Sequence, residues 1–479
     1  MPNLTDVLTI LPELYLLAAT CVLLLMDVFL RDDQKGLTHW LAIAIAAVAI
    51  WLVIGNGQSD VASAFGGMYL NDGMATVLKV FILLSTILVF IYARPYLKQR
   101  NLHVGEFYSL TLFASIGAMF LVSAGNLVTV YVGLQLLALC SYTLVALNRE
   151  SPLSSEAAMK YFVLSALASG MLLFGMSMIY GGTASLDLEQ IATVAPHAAH
   201  PNLLVFGLVF VVVGITFEMG VAPFHMWLPD VYDGAPTAVT NFIGSVSKLA
   251  AFGMAVRLLD YGLQPLVADW QAMLAALAAL SLVIGNLVAI AQTNLKRMLA
   301  YSTVAHMGFV VLGLVQGNGE GYAAAMFYVV CYALMSTAAF GVILALARTG
   351  FEAENIDDFK GLNKRSPWFA GIMAMAMFSL AGIPPLWGFW AKLLVLKAAI
   401  DAGFLWLAIV AIITAIVGLF YYLRVVKVMY FDDPQENSEL APVDDRPLRW
   451  VLSLNGLALL VVGLYWNPLL TWCQQAFAG

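Results

Sequence analysis

The sequence has 479 residues, of which 62% are hydrophobic and only 11% are charged, with a formal net charge of −7. Soluble domains carry about a quarter charged residues, so this composition excludes an ordinary soluble protein, and the mild acidic balance argues against nucleic-acid binding. Apolar stretches of about 20 residues, the length that crosses a hydrocarbon core, recur along the chain. Because these stretches are apolar on every face, they predict membrane-spanning helices and not a β-barrel.

The hydrophobic pattern predicts an all-α polytopic membrane protein of about 14 transmembrane helices, called spans 1 to 14 below. Span 1 has neither a basic leader nor a small-residue cleavage site, so we expect a retained helix and not a signal peptide. The predicted spans are 8–30, 38–55, 73–96, 104–123, 126–147, 157–180, 202–222, 236–259, 268–290, 298–315, 322–347, 367–398, 404–430 and 448–472.

Basic residues cluster in the loops that follow odd-numbered spans, for example Arg31, Lys98 and Arg365. The loops after even-numbered spans carry almost none, and Arg257 is the clear exception. Because cytoplasmic loops are enriched in lysine and arginine, this alternation predicts that the odd loops are cytoplasmic and that both termini lie outside.

Proline interrupts two spans. Span 7 contains Pro223 in "MGVAPFHMW", and span 12 contains Pro384 and Pro385 in "AGIPPLWGFW", with Pro384 lying 161 residues after Pro223. Spans 4–8 and 9–13 are therefore predicted to be two five-helix repeats, inverted because five is odd. Broken helices at matching positions of inverted repeats indicate an ion path, although proline is also common in ordinary transmembrane helices. The predicted organisation is 1–103, a three-helix segment; 104–260 and 261–430, the two repeats; and 431–479, a loop and span 14.

Several ionisable side chains fall inside predicted spans, where each costs roughly 2.5–3.5 kcal/mol at the helix centre. Glu13 and Asp27 are expected near span ends, and Lys79 can extend outward to the interface. The remaining four point to function: Lys160, Glu218, Lys248 and Lys392.

A lysine held in a dry bundle beside a carboxylate can take up and release protons near neutral pH. A series of such groups with intervening water conducts protons, and His225 and His306 are candidate relay members. The alternative for each lysine is a buried polar anchor between helices, and for each histidine a packing residue. After the Pro223 break, we expect the loop "MWLPDVYDGAP" to return along the cytoplasmic surface.

The chain has no phosphate-binding loop and no dinucleotide fingerprint after a strand, and its four cysteines form no CxxC pair. We therefore expect no disulfide, zinc site or iron–sulfur cluster. The sequence predicts a protein that moves an ion but receives its energy from elsewhere.

Four stretches carry a family resemblance: "MKYFVLSALASG", "APFHMWLPDVYDGAPTAVTNFI", "NLKRMLAYSTVAHMGF" and "SLAGIPPLWGFWAK". The chain resembles the antiporter-like membrane subunits of respiratory complex I, the NADH–quinone oxidoreductase, and of the Mrp-type cation/proton antiporters. The second and fourth stretches are highly specific. The 14-span length, without a long C-terminal lateral extension, favours a shorter complex I subunit over the largest one.

The resemblance implies that electron transfer from NADH to quinone, in other subunits, drives proton pumping through this chain in a bacterial inner membrane. FMN, iron–sulfur clusters and quinone are then expected in partner subunits of the complex, with no cofactor in this chain. Lys160, Lys248 and Lys392 correspond to the family's lysines, and His225 to the histidine of its "PFHMW" motif.

Two positions depart from the family pattern. Gln135, in "VYVGLQLLALCSY", stands where the family usually has glutamate, and Glu218 stands where it usually has lysine. One hypothesis is that the carboxylate has moved from span 5 to span 7, so that Glu218 partners Lys160 or Lys248. The alternative is that this half of the channel is degenerate and pumps nothing.

Three other functions stay open at this point. A secondary cation/proton antiporter subunit would need a sodium or potassium site, and the sequence shows no clear one. A membrane subunit of a hydrogenase-type complex shares the same motifs. A purely structural subunit would use its buried charges only as anchors.

Overall fold

A computed structural model describes residues 3–31, 34–57, 61–100, 102, 105–348, 351–434 and 443–478. These residues form an all-α polytopic membrane protein, in which 13 helices are long and apolar enough to cross a membrane. The predicted end of the three-helix segment, at residue 103, lies outside the described residues. The helices are α1 Leu4–Thr9, α2 Leu11–Phe29, α3 Gly36–Asn56, α4 Gly73–Gln99, α5 Gly105–Val122, α6 Leu127–Val145, α7 Pro152–Thr183, α8 Leu188–Val194, α9 Pro201–Met219, α10 Trp227–Gly234, α11 Thr237–Val256, α12 Val267–Ile290, α13 Leu295–Leu314, α14 Gly319–Leu346, α15 Leu362–Arg365, α16 Pro367–Ala381, α17 Trp387–Asp401, α18 Leu405–Phe431, α19 Arg446–Leu464 and α20 Asn467–Gln475.

The all-α fold and the positions of the spans are confirmed, with differences at two of them. Span 12 is divided into α16 and α17. Span 14, predicted as one helix to residue 472, ends at Leu464, and α20 begins at Asn467. Pro468 accounts for the second difference, because proline disfavours helical geometry in the residue before it and lacks a backbone donor.

A short β-hairpin precedes α4 and was not predicted from the sequence. Strand β1 (Ala62–Ala64) pairs antiparallel with β2 (Tyr69–Asn71), with Ala62 opposite Asn71. The Leu70 amide donates to the Ser123 carbonyl over 2.7 Å. The hairpin therefore covers the turn between α5 and α6.

Matching features recur in the two halves of the bundle. Asn126 caps α6 and forms an isolated β-bridge with Asp187; Asn294 caps α13 and forms one with Asn355. Each residue of the second pair lies 168 positions after its counterpart. This spacing is seven residues wider than the one between Pro223 and Pro384, and the repeat of five spans stays a prediction.

A pair of arginines repeats in the same way. Arg257 donates from Nε to the Val122 carbonyl over 2.8 Å, and Arg424 donates to the Ile290 carbonyl over 2.9 Å. Both carbonyls belong to the last turn of a helix, α5 or α12, where backbone acceptors lack intrahelical partners. Arg257 is fully buried. It is therefore an internal helix cap, which explains why it departs from the charge alternation.

The loops that connect the helices lie at two opposite ends of the bundle. At one, called the basic end, ion pairs join loops that follow odd-numbered spans: Arg100 with Glu352, Arg297 with Asp233, and Lys364 with Asp433. At the other, called the opposite end, the β-hairpin lies against the α5–α6 turn. The α12–α13 turn lies at the basic end, where Arg424 binds it.

Two helices lie entirely inside the bundle. One is α11, which a π-helical turn extends to Gly262, and the other is α14. The most apolar stretch of each helix is completely buried. The peripheral spans α2, α3, α7 and α19 are only about a third buried. Polar side chains on α11 and α14 therefore face other helices and not lipid.

Candidate functional site

The first break separates α9 from α10. Helix α9 ends at Met219, and Gly220 follows with φ 77°, a left-handed conformation that favours glycine. Pro223 lies in the break, and α10 begins at Trp227. The expectation of a surface loop here is wrong. The segment forms an eight-residue helix because Trp227, Leu228, Val231 and Tyr232 lie on one face, and all four are buried.

Lys248 on α11 reaches into this break. Its ammonium donates to the Glu218 carbonyl over 3.0 Å and lies 4.9 Å from the centre of the Trp227 ring, with the side chain 0% exposed. The C-terminal end of a helix carries partial negative charge and free carbonyls, so the end of α9 stabilises a cation here. A Cβ at Gly220 would lie 3.4 Å from the Lys248 nitrogen.

The second break repeats this arrangement. Helix α16 ends at Ala381, Gly382 has φ 84°, and Pro384 and Pro385 precede α17. The Lys392 ammonium donates to the Leu380 and Ala381 carbonyls over 3.0 and 2.9 Å. Leu380 lies 162 residues after Glu218. Each interrupted helix therefore presents its last carbonyls to one lysine, which is buried at the first break and half-buried at the second.

Glu218 is the acidic group of the first break. It is 8% exposed, and its carboxylate has no hydrogen bond or ion pair to any described residue. The carboxylate interacts electrostatically with the Lys248 ammonium. Tyr142 and Tyr161 lie within electrostatic range of it. Of the two partners suggested for Glu218, the geometry favours Lys248.

Lys160 lies elsewhere. Its side chain is 44% exposed on α7, at the basic end, where it forms ion pairs with Glu156 at 2.9 Å and Asp230 at 2.8 Å. It does not contact Glu218. Gln135 on α6 is half-buried and makes no hydrogen bond to the described residues. The structure therefore does not place either residue beside the buried lysines.

His306 is buried and has both ring nitrogens bonded. Its Nδ1 lies 2.8 Å from the Tyr328 hydroxyl, and its Nε2 lies 3.0 Å from the Tyr422 hydroxyl. Tyr422 continues the chain to Ser302 at 2.5 Å. The Lys392 charge acts electrostatically on the His306 ring. His306 is therefore a member of a polar network shared by α13, α14 and α18.

Hydroxyl groups on α14 continue this network towards α11. Tyr332 bonds the Thr303 hydroxyl at 2.7 Å. Ser336 lies one turn further along α14. Its hydroxyl and that of Tyr232 on α10 both lie beside Gly244, because a Cβ built on this glycine would be 3.2 Å from the Ser336 hydroxyl and 3.0 Å from the Tyr232 hydroxyl. These groups were not predicted from the sequence. The available signal was the spacing of four between Tyr328, Tyr332 and Ser336, on a helix that has no charged residue after Glu320 in its first turn.

His225 is half-buried in the first break, with its ring 6.1 Å from that of Tyr301. It has no contact with the His306 network. The structure thus brings together Glu218 and Lys248 at one break, and His306 and Lys392 near the other, with hydroxyls between them. We call this set the polar axis: Glu218, Lys248, Tyr232, Ser336, Tyr332, Thr303, His306, Tyr328, Tyr422 and Lys392.

The expectation for Lys79 is wrong. Glu13 and Lys79 are each 1% exposed and form an ion pair at 2.8 Å, so Lys79 does not extend outward. Glu13 lies in the first turn of α2, near a span end as predicted. Asp27 accepts a hydrogen bond from Thr38 over 2.6 Å. Pairing of α2 with α4 across the bundle could not be read from one sequence.

Comparisons with known proteins agree with this architecture. Residues 124–418 match the family described as NADH:quinone oxidoreductase/Mrp antiporter, TM. The chain is 53% identical to NADH-quinone oxidoreductase subunit N of Xanthomonas euvesicatoria over 476 residues, covering 99% of this chain and 97% of that one.

Solved structures give the same result. A chain of respiratory complex I from Thermus thermophilus is similar with a TM-score of 0.83 at 32% identity, covering 96% of this chain and 98% of that chain. A chain of the Mrp complex from Dietzia has a TM-score of 0.85 at 21% identity, covering 99% of this chain and 97% of that chain, which shows a shared fold. The expectation of an antiporter-like membrane subunit of complex I is confirmed. The chain belongs to the family of subunit N of the NADH-quinone oxidoreductases.

Proposed function

We propose that this subunit translocates protons along the polar axis, driven by electron transfer from NADH to quinone in other subunits. The observation that carries the proposal is the pair of matched breaks, at each of which a lysine donates to the last carbonyls of an interrupted helix: the buried Lys248 at the first and the half-buried Lys392 at the second. Structural anchors alone do not require two lysines at such equivalent sites.

Each lysine can exist in two protonation states. Burial disfavours the ammonium, whereas the carbonyls at the end of α9 or α16 and an adjacent aromatic face favour it. For Lys248, the Glu218 carboxylate adds a further favourable interaction. A change of charge near either break therefore shifts the balance between the two states, which is what a driven proton carrier needs.

The groups between the lysines can pass protons on. Tyrosine, serine and threonine hydroxyls each donate and accept, and a neutral imidazole does both through its two nitrogens. His306 is bonded on both sides, so it can receive a proton at one nitrogen and release one at the other. Water between polar groups completes such a path in membrane pumps.

The setting follows from the relatives. Similar chains are named as subunits of NADH-quinone oxidoreductase and respiratory complex I. We infer that this chain assembles with other membrane-arm subunits and that FMN, iron–sulfur clusters and quinone lie in partners. In the orientation that we propose, the basic end faces the cytoplasm of a bacterial cell and both termini are periplasmic.

The test uses the purified complex reconstituted into vesicles. Lys248→Met and Lys392→Met remove each buried amine with little change of volume, and we expect the number of protons pumped per NADH oxidised to fall. Lys427→Met is the matched control, since Lys427 is 65% exposed at the basic end. The ratio is measured from vesicle acidification against NADH consumption at 340 nm.

An unchanged proton-to-NADH ratio in both variants would overturn the proposal and leave the lysines as anchors. Replacing sodium by choline in the same vesicles tests the antiporter alternative, and we expect no effect. Flavin and iron–sulfur proteins are expected to co-purify with the chain. Purification with hydrogenase subunits instead would favour the hydrogenase-type complex.

A further inference from the structure

A second group of buried charges lies in the first three-helix segment, outside the residues 124–418 that match the family. The Lys79 ammonium pairs with the Glu13 carboxylate at 2.8 Å, and both side chains are 1% exposed. Lys79 also donates to the Tyr69 hydroxyl over 2.6 Å and lies 4.8 Å from the centre of that ring. The pair is thus enclosed by α2, α4 and the β-hairpin.

Stability does not account for this pair. Removing two charges from water costs more than their attraction returns in many proteins, and apolar residues of similar size often replace a buried pair without loss. Inside a membrane, ionisable groups usually mark ion or proton pathways. The polar axis does not use Glu13, Lys79 or Tyr69.

An open cavity of about 900 Å³ lies at the opposite end of the bundle, and Thr76 of α4 is among its lining residues. Its other polar lining comes from Asp72, Asp260, Tyr261, Tyr322 and Gln475. These residues belong to the start of α4, the π-helical turn after α11, the start of α14, and the C-terminal segment, which closes one side. The cavity therefore opens where the loops of the even-numbered spans meet.

One face of α4 joins the cavity to the ion pair. Asp72, Thr76 and Lys79 are spaced by four and three residues, so they lie on the same side of the helix. The seven-residue step from Asp72 to Lys79 is about 10 Å along the axis. The Thr76 hydroxyl is buried and makes no hydrogen bond to the described residues, so it can bond a water between the cavity and the pair.

Asp72 lines the cavity, and its carboxylate is held in place by hydrogen bonds. Its carboxylate accepts two hydrogen bonds from Arg257, at 2.7 and 2.8 Å, and a third from Tyr261 at 2.7 Å. A carboxylate held by a guanidinium and a phenol has its lone pairs occupied. The Glu13–Lys79 pair is therefore better suited to exchange a proton than Asp72, and Thr76 lies between the pair and the cavity.

We propose that the Glu13–Lys79 pair is a proton-release site that discharges into this cavity, on the side that the proposed orientation places outside. The inference rests on the proposed function, because the polar axis supplies the proton. An arriving proton converts the ion pair into an ammonium and a neutral carboxylic acid. The acid then gives its proton to water in the cavity, which becomes hydronium, and the ion pair is restored.

The connection to the axis runs beside α11. Lys248 and Arg257 are nine residues apart on that helix, about 13 Å along its axis, and the residues between them, "LAAFGMAV", are apolar. Leu78 and Val122 pack against Gly253 within this stretch. This apolar layer separates the release site from the polar axis. Protons cross the layer only when water enters it.

The first experiment removes both charges of the pair together, with Glu13→Leu and Lys79→Met in one chain, so that no unpaired charge remains. In the reconstituted complex, we expect normal assembly and a proton-to-NADH ratio lowered to that of Lys248→Met. Glu13→Asp with Lys79→Arg keeps a titratable pair and is expected to keep most of the wild-type ratio. A structural pair would give the wild-type ratio in the apolar variant, which would overturn the inference.

The Lys248→Met complex separates the two hypotheses. If it pumps less while the apolar pair variant pumps normally, the release site is wrong and the proposed function stands. If the pair variant, Lys248→Met and Lys392→Met all keep the wild-type ratio, the proposed function fails together with the release site. If the apolar variant does not assemble, the Lys79→Gln variant is tested with the same assay. A lowered proton-to-NADH ratio then supports the release site, and a wild-type ratio overturns it.

A second experiment tests access from the cavity. Thr76→Cys is treated with a membrane-impermeant thiol reagent on each side of the vesicle, with the native cysteines as background. We expect labelling from the side of the termini and a lower proton-to-NADH ratio after it. Ser85→Cys, at a fully buried position further along α4, is the control and should not react. Absence of labelling at position 76, or labelling only from the basic end, would overturn the inference.

Discussion

The Lys248 ammonium lies 3.0 Å from the backbone carbonyl oxygen of Glu218, and no ion pair joins the two side chains among the described residues. Glu218 therefore contributes twice at this break. Its peptide group holds the lysine in place, and its carboxylate acts on the lysine's charge from a distance. The two contributions can be separated by substitution.

Glu218→Gln keeps the carbonyl contact and the side-chain volume but removes the charge. We expect the complex to assemble normally and its proton-to-NADH ratio to fall to that of Lys248→Met, because the neutral amide no longer favours the ammonium. The ratio is measured in vesicles. Normal pumping by this variant would show that the carboxylate has no part in transport.

The combination Gln135→Glu with Glu218→Lys rebuilds the arrangement that the family usually has. If a carboxylate near the first break is what matters, this double variant should pump more than Glu218→Gln. An equal or lower ratio would mean that the position of the carboxylate, and not only its presence, sets the function. The assay is the same.

Tyr422→Phe and Tyr328→Phe each remove one hydroxyl that bonds His306. We expect a slower turnover at an unchanged fold, with a stability loss of about 1 kcal/mol for each lost hydrogen bond. Tyr430→Phe, on the same helix as Tyr422 but half-exposed, is the matched control. Turnover and thermal unfolding are measured side by side, and equal turnover in all three variants would exclude His306 from the path.

Gly244→Ala tests the narrowest point between α11 and α14. The added methyl would lie 3.0 Å from the Tyr232 hydroxyl and 3.2 Å from the Ser336 hydroxyl, so we expect it to separate them and slow proton transfer. Gly371→Ala is the control, because nothing lies within 4 Å of that Cβ. Its helix should gain up to about 1 kcal/mol. Vesicle acidification that is equally fast in both variants would argue against this route.

Arg257→Leu leaves the Asp72 carboxylate buried without its partner. We expect a loss of about 3–5 kcal/mol, as for other buried pairs that lose one member. Arg449→Leu is the control, since Arg449 lies 3.8 Å from Asp444 and both side chains are largely exposed. Thermal unfolding in detergent is the measurement. Equal melting temperatures would contradict the role of Arg257 as an internal cap.

The sequence predicted the architecture well because each span must satisfy its backbone within one apolar stretch. The same physics marked the breaks, since proline removes a donor wherever it stands in a helix. Lys248 was recognisable as internal because it lies in the middle of its span, and Lys392 because it follows the proline break of span 12. These are all local properties, which one sequence displays directly.

The contacts between helices could not be read in this way. The ion pair of Glu13 with Lys79 joins residues from different helices, and nothing local indicates it. Lys160 was expected inside, although Glu156, four residues earlier on the same helix face, was a sign of an exposed ion pair. The tyrosines of α14 were overlooked because tyrosine in an apolar helix suits both packing and hydrogen bonding.

The paired caps Arg257 and Arg424 have a consequence for biogenesis. Inversion of the repeat obliges the cell to carry one guanidinium across the bilayer, against the charge bias that orients the rest of the chain. In the proposed orientation Arg257 makes that crossing, and Asp72 pairs with it in the folded protein. Removing the Arg257 charge should therefore strengthen the orientation of a newly made chain, whereas removing the Arg424 charge should weaken it.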